Sequence, residues 1–239
     1  EFVDPERVRH IVKVHSDHVE IPVMLVDPEK EEKLNSASAL WTRSKSEIKD
    51  EQYKEFYKHV SHSFDDPWLA IHNKVEGVLS YTNLLFIPSM RPLDLFNPER
   101  KMHVKLYVKR VFITDDSEGI IPAYLRFLRG VVDSEDLSLN ISRETFQHDP
   151  KITKIRSGLV KRVLGELKKK ADKAPDEYKT FWENFGAVLK EGLYEDTANR
   201  DVIIPICRFH STRGDDLISL DDYITGMKEG QEAIYTISG

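Results

Sequence analysis

The stretch LNISRETFQHD (139–149) holds the polar spacing with the clearest chemical meaning in this chain. Asn140, Arg143 and Gln147 stand three and four residues apart, so a helical turn gathers two amides and a guanidinium toward one side. A guanidinium is a planar fork of donors that pairs with phosphate or carboxylate. Ser142 has the type of a helix N-cap, and Glu144 in the first turn suits the positive end of the helix dipole. Arg143 is a cation in that same turn, where the dipole disfavours it. Two readings follow: an ordinary capped turn with Arg143 and Gln147 directed to water, or an arginine held for an anion supplied from elsewhere. No G-x-x-x-x-G-K-[ST] or G-x-G-x-x-G occurs, and the 11 glycines are scattered. A phosphate met by Arg143 would therefore be held by a different domain.

Other residues with chemical potential read more plainly. The H-x-x-H pairs His15/His18 and His59/His62 lack the H-E-x-x-H context and any cysteine cluster, so they read as solvated or hydrogen-bonded histidines. Cys207, in VIIPICRF, reads as a buried and inert thiol. The lysines of 150–170 have no interleaved aromatic residues and read as a solvated helix face. Trp41, in SALWTRSKS (38–46), lies outside any periodic element and reads as core or as a partner contact.

Composition bounds these readings. The chain has 239 residues, 40% hydrophobic and 32% charged, with a formal net charge of −6. The isoelectric point of about 5.9 argues against nucleic acid as a partner. The single cysteine excludes an intramolecular disulfide and fits a reducing compartment. No run of 18 apolar residues predicts a membrane span, and no secretory signal opens the chain. The ends, EFVDPERV without a methionine and EAIYTISG in an alternating pattern, read as those of a fragment cut from a longer protein.

The elements that must position these residues follow from periodicity. Asp4 and Pro5 open a helix over 5–14; VEIPVMLV (19–26) alternates as a strand; 50–60 is an amphipathic helix. VEGVLSYTNLLFIP (75–88) and HVKLYVKRVFIT (103–114) read as strands, and IPAYLRFLRGVV (121–132) as a helix between strand and loop. Residues 150–171 form the clearest helix, capped by Asp149, with Ile152, Ile155, Leu159, Val163, Leu167 and Ala171 in one stripe. A second helix carries Tyr178, Phe181, Trp182, Phe185 and Leu189 and closes at Gly192 as a C-cap. Residues 199–210 read as a short helix or apolar turn and 211–216 as a loop. Ser219 caps a short helix through Met227, and EAIYTIS is a final strand.

Several long segments carry a resemblance. LWTRSKSEI (40–48), SYTNLLFIPSMRPLDLF (80–96), KLYVKRVFITDD (105–116), YLRFLRGVVDSEDLSLNISRE (124–144) and FWENFGAVLKEG (181–192) are similar, in collinear order, to the middle segment of the heat shock protein 90 chaperones, nearest their bacterial form. The resemblance covers nearly all of the chain from about residue 5. It implies a mixed α/β fold: a large α/β/α unit over 1–172 holding the loop 139–149, a helical connector over 173–198, and the truncated start of a smaller α/β/α unit over 199–239. It implies a nucleotide pocket in an N-terminal ATPase domain and dimerisation through a C-terminal domain, with the full-length protein a cytoplasmic homodimer that acts on client proteins.

The resemblance also assigns roles. In the family, the arginine of the N-x-S-R-E-x-x-Q motif reaches the γ-phosphate of ATP bound with Mg2+ in the other domain; the matching residue is Arg143, with Asn140 and Gln147 beside it. Such a chain is part of an ATPase without being active alone, and by itself would need no cofactor. Phe112 matches an aromatic position implicated in docking the N-terminal domain, and Trp41 one linked to client contact. Two positions depart from the family pattern: Ser138 stands where proline is common and Thr145 where an aliphatic residue is usual. The competing expectation is a non-catalytic protein-interaction module in which the loop is structural.

Overall fold

The computed structural model describes residues 4–27, 30–97, 102–115, 119–139 and 149–237. The chain divides into two compact units, one of residues 1–122 with 126–160, the other of 123–125 with 161–239.

The first unit opens with helix α1 (Pro5–His15), whose N-cap Asp4 accepts a hydrogen bond from Glu6 N. Strands β1 (Met24–Asp27) and β2 (Lys30–Lys33) pair as an antiparallel ribbon of their own. Helix α2 (Asp50–Ser61) precedes the main sheet of β3 (Pro67–Val75), β4 (Tyr81–Pro88), β5 (His103–Val108), β6 (Val111–Thr114) and β7 (Arg129–Ser134). Its order is β3-β4-β7-β5-β6. The central strand β7 runs antiparallel to β4 and parallel to β5.

Helices α2 and α3 (Pro150–Lys173) cover opposite faces of this sheet. Leu84, Phe86, Tyr107 and Val131 pack with Tyr57 and Val60 of α2 and with Trp41 in one buried cluster. Tyr81, in the other phase of the β4 alternation, meets α3: a Cβ on Gly158 would lie 2.2 Å from the Tyr81 hydroxyl. Ile152, Ile155 and Leu159 of α3 are buried, as a stripe at helical spacing requires. The layering is α/β/α, as expected. Close packing at the centre depends on Gly130, whose φ is +126° and where a Cβ would stand 2.1 Å from Leu84 O.

The second unit holds α3 from Lys161 onward, α4 (Pro175–Glu195), α5 (Arg200–Ile203), the hairpin β8 (Phe209–Ser211) and β9 (Gly214–Ile218), and α6 (Leu220–Thr225). Tyr178, Phe181, Phe185 and Leu189 form its buried helical face. The Tyr178 hydroxyl donates to Ile206 O at 2.7 Å, and the Tyr124 hydroxyl to Asp196 Oδ2 at 2.7 Å. Cys207 is buried, and burial pushes its thiol up to about 11.

Several expected elements are corrected. Residues 121–132 are not a helix: they hold a 3₁₀ turn at Ala123–Leu125 and then β7. Every residue of β7 is buried, Arg129, Asp133 and Ser134 included, so the strand lacks the alternation that marks a half-exposed one. The single strand expected over 103–114 is a hairpin, turned at Lys109 and Arg110 with φ of 50° and 66°. Strand β3 lies outside every expected element except at Val75, β4 starts only at Tyr81, and β1 only at Met24. Gly192 is not a C-cap; it lies inside α4, where a Cβ would stand 2.8 Å from the Tyr124 ring. The loop expected over 211–216 contains the turn and parts of β8 and β9, α6 stops at Thr225, and residues 233–237 form no strand.

Candidate functional site

Asn140, Arg143 and Gln147 lie in residues 140–148, outside the described residues, as do Ser142, Glu144 and Thr145. The frame on either side is described. Where β7 ends, Glu135 N donates to Ser80 O at 3.1 Å and Ser80 N donates to Asp136 Oδ2 at 2.5 Å. Asp136 N donates to Ser134 Oγ at 3.3 Å, and Leu137 is buried. The start of the segment is thus fastened to the turn that leads into β4. On the other side, Asp149 Oδ1 accepts from Lys151 N at 2.7 Å, the capping bond that opens α3. The Lys151 ammonium then donates to Asp136 O at 2.6 Å. One lysine links the residue before the segment to the helix turn after it.

Sequence reasoning placed Lys151 among solvated lysines and passed over Asp136. A usable signal existed for the lysine. Lys151 is a cation in the first turn of α3, and no acidic residue occupies that turn. This is the same misplacement that drew attention to Arg143. Nothing comparable marks Asp136, because a carboxylate holding a backbone N–H across a sheet depends on strand pairing that no local pattern displays.

Trp41 is fully buried, and its indole N–H donates to Asp133 Oδ2 at 2.8 Å. Its ring lies 4.6 Å from His18, 4.9 Å from Tyr107 and 5.8 Å from Phe56 between centroids. It offers no surface to a partner in this fold; of its two readings, the core one describes its place. Phe112 is half-buried on the edge strand β6, with ring centroids 5.7 Å from both Tyr107 and His15. Asp133 joins these parts: besides the indole it accepts from Arg110 N at 3.2 Å, which supports the left-handed Lys109–Arg110 turn. Burial raises the Asp133 carboxyl above its ordinary value, against the lowering by these hydrogen bonds. The Arg110 guanidinium pairs with Glu20 at 2.6 Å.

A neutral histidine completes the underside. His72 Nε2 donates to Trp41 O at 2.7 Å, which leaves Nδ1 to accept from the Tyr53 hydroxyl at 2.8 Å. Burial lowers the pKa of His72 below its ordinary value. His72 therefore binds more protons unfolded than folded once pH drops below about 6.5, so its contribution to stability falls with falling pH through that window. Asp133, with a raised pKa, works in the opposite direction. The urea midpoint is expected to fall between pH 7.5 and 5.5, and His72→Gln to flatten that slope. A slope unchanged by the substitution would contradict the assignment of His72 as buried and neutral.

Among the described residues no group of histidine, cysteine, aspartate or glutamate could hold a metal ion, and no helix is long and apolar enough to cross a membrane. His18 Nδ1 donates to Ser38 O at 2.7 Å.

Comparison with known proteins gives these parts a context. The family model described as Hsp90 protein matches residues 27–239. The chain is 63% identical, over its whole length, to the chaperone protein HtpG of Paramagnetospirillum magneticum, covering 38% of that protein. It is 59% identical over its whole length to HtpG of Roseobacter denitrificans, again covering 38% of the relative. Among solved structures, the middle domain of a Plasmodium falciparum heat shock protein matches with a TM-score of 0.74 at 33% identity, covering 82% of this chain and 77% of that one.

Proposed function

The chain belongs to the heat shock protein 90 family, and from that premise we propose that it is the middle part of an ATP-dependent chaperone, supplying Arg143 to the γ-phosphate of ATP held by a separate N-terminal domain. It spans 38% of the length of the curated relatives named above, which leaves room in such proteins for a nucleotide-binding part and a dimerisation part. The observation that carries the reading is the motif N-x-S-R-E-x-x-Q at 140–147 in a chain that matches HtpG over its whole length. Phosphoryl transfer is promoted by positioning and by neutralising charge on the γ-phosphoryl oxygens, which a guanidinium does through its donor fork. Supplying that charge from a second domain makes hydrolysis conditional on domain closure. ATP with Mg2+ is then the cofactor of the full-length protein, a cytoplasmic homodimer. Asn140 and Gln147 orient the arginine or the attacking water, and Phe112 helps dock the N-terminal domain.

Client contact is the second part of the reading. Phe64, Val78, Met90 and Leu93 are large apolar side chains on loops of the first unit, and each is mostly or fully exposed. Exposed apolar residues of this size suit contact with unfolded polypeptide.

The experiment has two arms. Calorimetry of this chain alone with Mg-ATP is expected to show no binding, because the chain contains no glycine-rich phosphate cradle. Adding the chain to the separately prepared N-terminal domain is expected to raise ATP turnover. Micromolar binding in the first arm would contradict a nucleotide held by a separate domain, and no rise in the second would favour the non-catalytic interaction module.

A further inference from the structure

We propose that a cavity in the second unit is a binding site for a basic amino acid, a ligand that carries one carboxylate and two cationic groups. The cavity measures about 520 Å³ and lies between the end of α3, the first turn of α4, Pro205 and Arg208, and the start of α6; its size suits a small molecule. All of its lining belongs to the second unit. Its most distinctive group is the half-buried Arg208. The guanidinium lies over the Tyr178 ring, 5.0 Å from its centroid, and Tyr178 is itself buried and bonded to Ile206 O at 2.7 Å. Arg208 Nη1 donates to Pro205 O at 3.1 Å and to Cys207 O at 3.0 Å. The guanidinium is thus held in place by a ring and two neutral carbonyls, and among the described residues it forms no ion pair. A cation fixed in this way, with donors left over, is prepared for a carboxylate.

The remaining charges of the lining are paired unevenly. Lys168 meets Asp172 at 3.0 Å, and Lys179 meets Asp216 at 3.0 Å. Asp222 is committed to the cap of α6, its Oδ2 accepting from Ser219 N at 3.0 Å and from Ser219 Oγ at 2.6 Å. Those bonds, and more weakly the charge of Arg208, hold the Asp222 carboxyl below its ordinary value. Asp176 and Asp221 are left, both exposed and without a side-chain partner among the described residues. The cavity therefore presents one cation and two carboxylates that nothing in the fold neutralises. A plain anion would pair with Arg208 and be repelled by the aspartates, while a plain diamine would leave Arg208 unpaired. Among the described residues no group of histidine, cysteine, aspartate or glutamate could hold a metal ion. An α-carboxylate, an α-ammonium and a cationic side chain on one small molecule answer all three groups at once. Lysine, arginine and ornithine are of that class.

The test is calorimetry of the full-length protein with L-lysine and three analogues: cadaverine, which is lysine without its carboxylate; L-norleucine, which lacks the side-chain ammonium; and acetate. Expected is a Kd for L-lysine at or below about 1 mM. Each analogue should bind more weakly by roughly tenfold or more, the worth of one hydrogen bond to a charged group. Arg208→Gln should weaken L-lysine by about the same factor and leave cadaverine no weaker, since the diamine has nothing for a guanidinium to hold. Asp221→Asn should weaken both of them. The analogue series is run on the unaltered protein, so it decides the matter even if a variant folds poorly. No binding of L-lysine up to about 10 mM would overturn the site. Cadaverine binding as tightly as L-lysine would overturn the pairing of a carboxylate with Arg208, and so would an Arg208→Gln protein that binds L-lysine as the wild type does.

Discussion

Trp41→Ala is expected to destabilise the first unit by roughly 4–8 kcal/mol, a large share of the about 5–15 kcal/mol that holds an ordinary domain folded. Two effects add. Removing a fully buried indole opens a large cavity beneath Tyr107, Phe56 and His18, and truncation of such a side chain costs about 3–5 kcal/mol. It also strips Asp133 of the donor at 2.8 Å, leaving a buried carboxylate with Arg110 N and a further cost of about 1–3 kcal/mol. Trp41→Phe keeps one aromatic ring but loses the N–H and the rest of the indole, so its cost should lie between the second figure and the full loss. Urea unfolding of the three proteins measures both. A Trp41→Ala midpoint near that of the wild type would mean that the cluster around Trp41 contributes little to stability.

Much of the architecture was legible from periodicity, and the failures share a cause. Helix α3 showed itself through Asp149, Pro150 and a stripe from Ile152 to Ala171, all signals local to the helix. Strand β7 did not, because it is buried on both faces between β4 and β5, and its residues RGVVDS show no alternation of polar and apolar side chains. The β5–β6 hairpin was hidden by its turn. Lys109 and Arg110 adopt left-handed conformations where glycine or asparagine is usual, and they are held there by Ser134 O and the Asp133 carboxylate, partners distant in sequence. The same holds for the candidate site. Arg143 could be singled out from its own neighbours, whereas Asp136 depends on Ser80, which only strand pairing brings close. Trp41 was legible as core or contact but not as Asp133's donor, a pairing across 92 residues.

Arg143→Ala in the full-length protein is expected to lower kcat by about a hundredfold or more, since arginines that reach a transferred phosphoryl group contribute on the order of 10³–10⁵ in other systems. The loss should fall on kcat and not on ATP affinity. If the arginine meets the phosphate only when the domains close, its stabilisation belongs to the transition state and is absent from the resting complex. Arg143→Lys should rescue poorly, because a point ammonium does not reproduce the bidentate fork. Gln147→Ala should lose less, being neutral and acting through orientation. Fold stability should barely change, as a side chain whose proposed partner is held by another domain contributes little to the folding of this one.

The most direct measurement is steady-state ATP turnover of the Arg143→Ala full-length protein, with nucleotide affinity determined in parallel on the same preparation. A central role for Arg143 requires kcat to collapse while affinity stays within about threefold. Turnover within about twofold of wild type, an effect below ~0.5 kcal/mol, would contradict it and return the loop to a structural role.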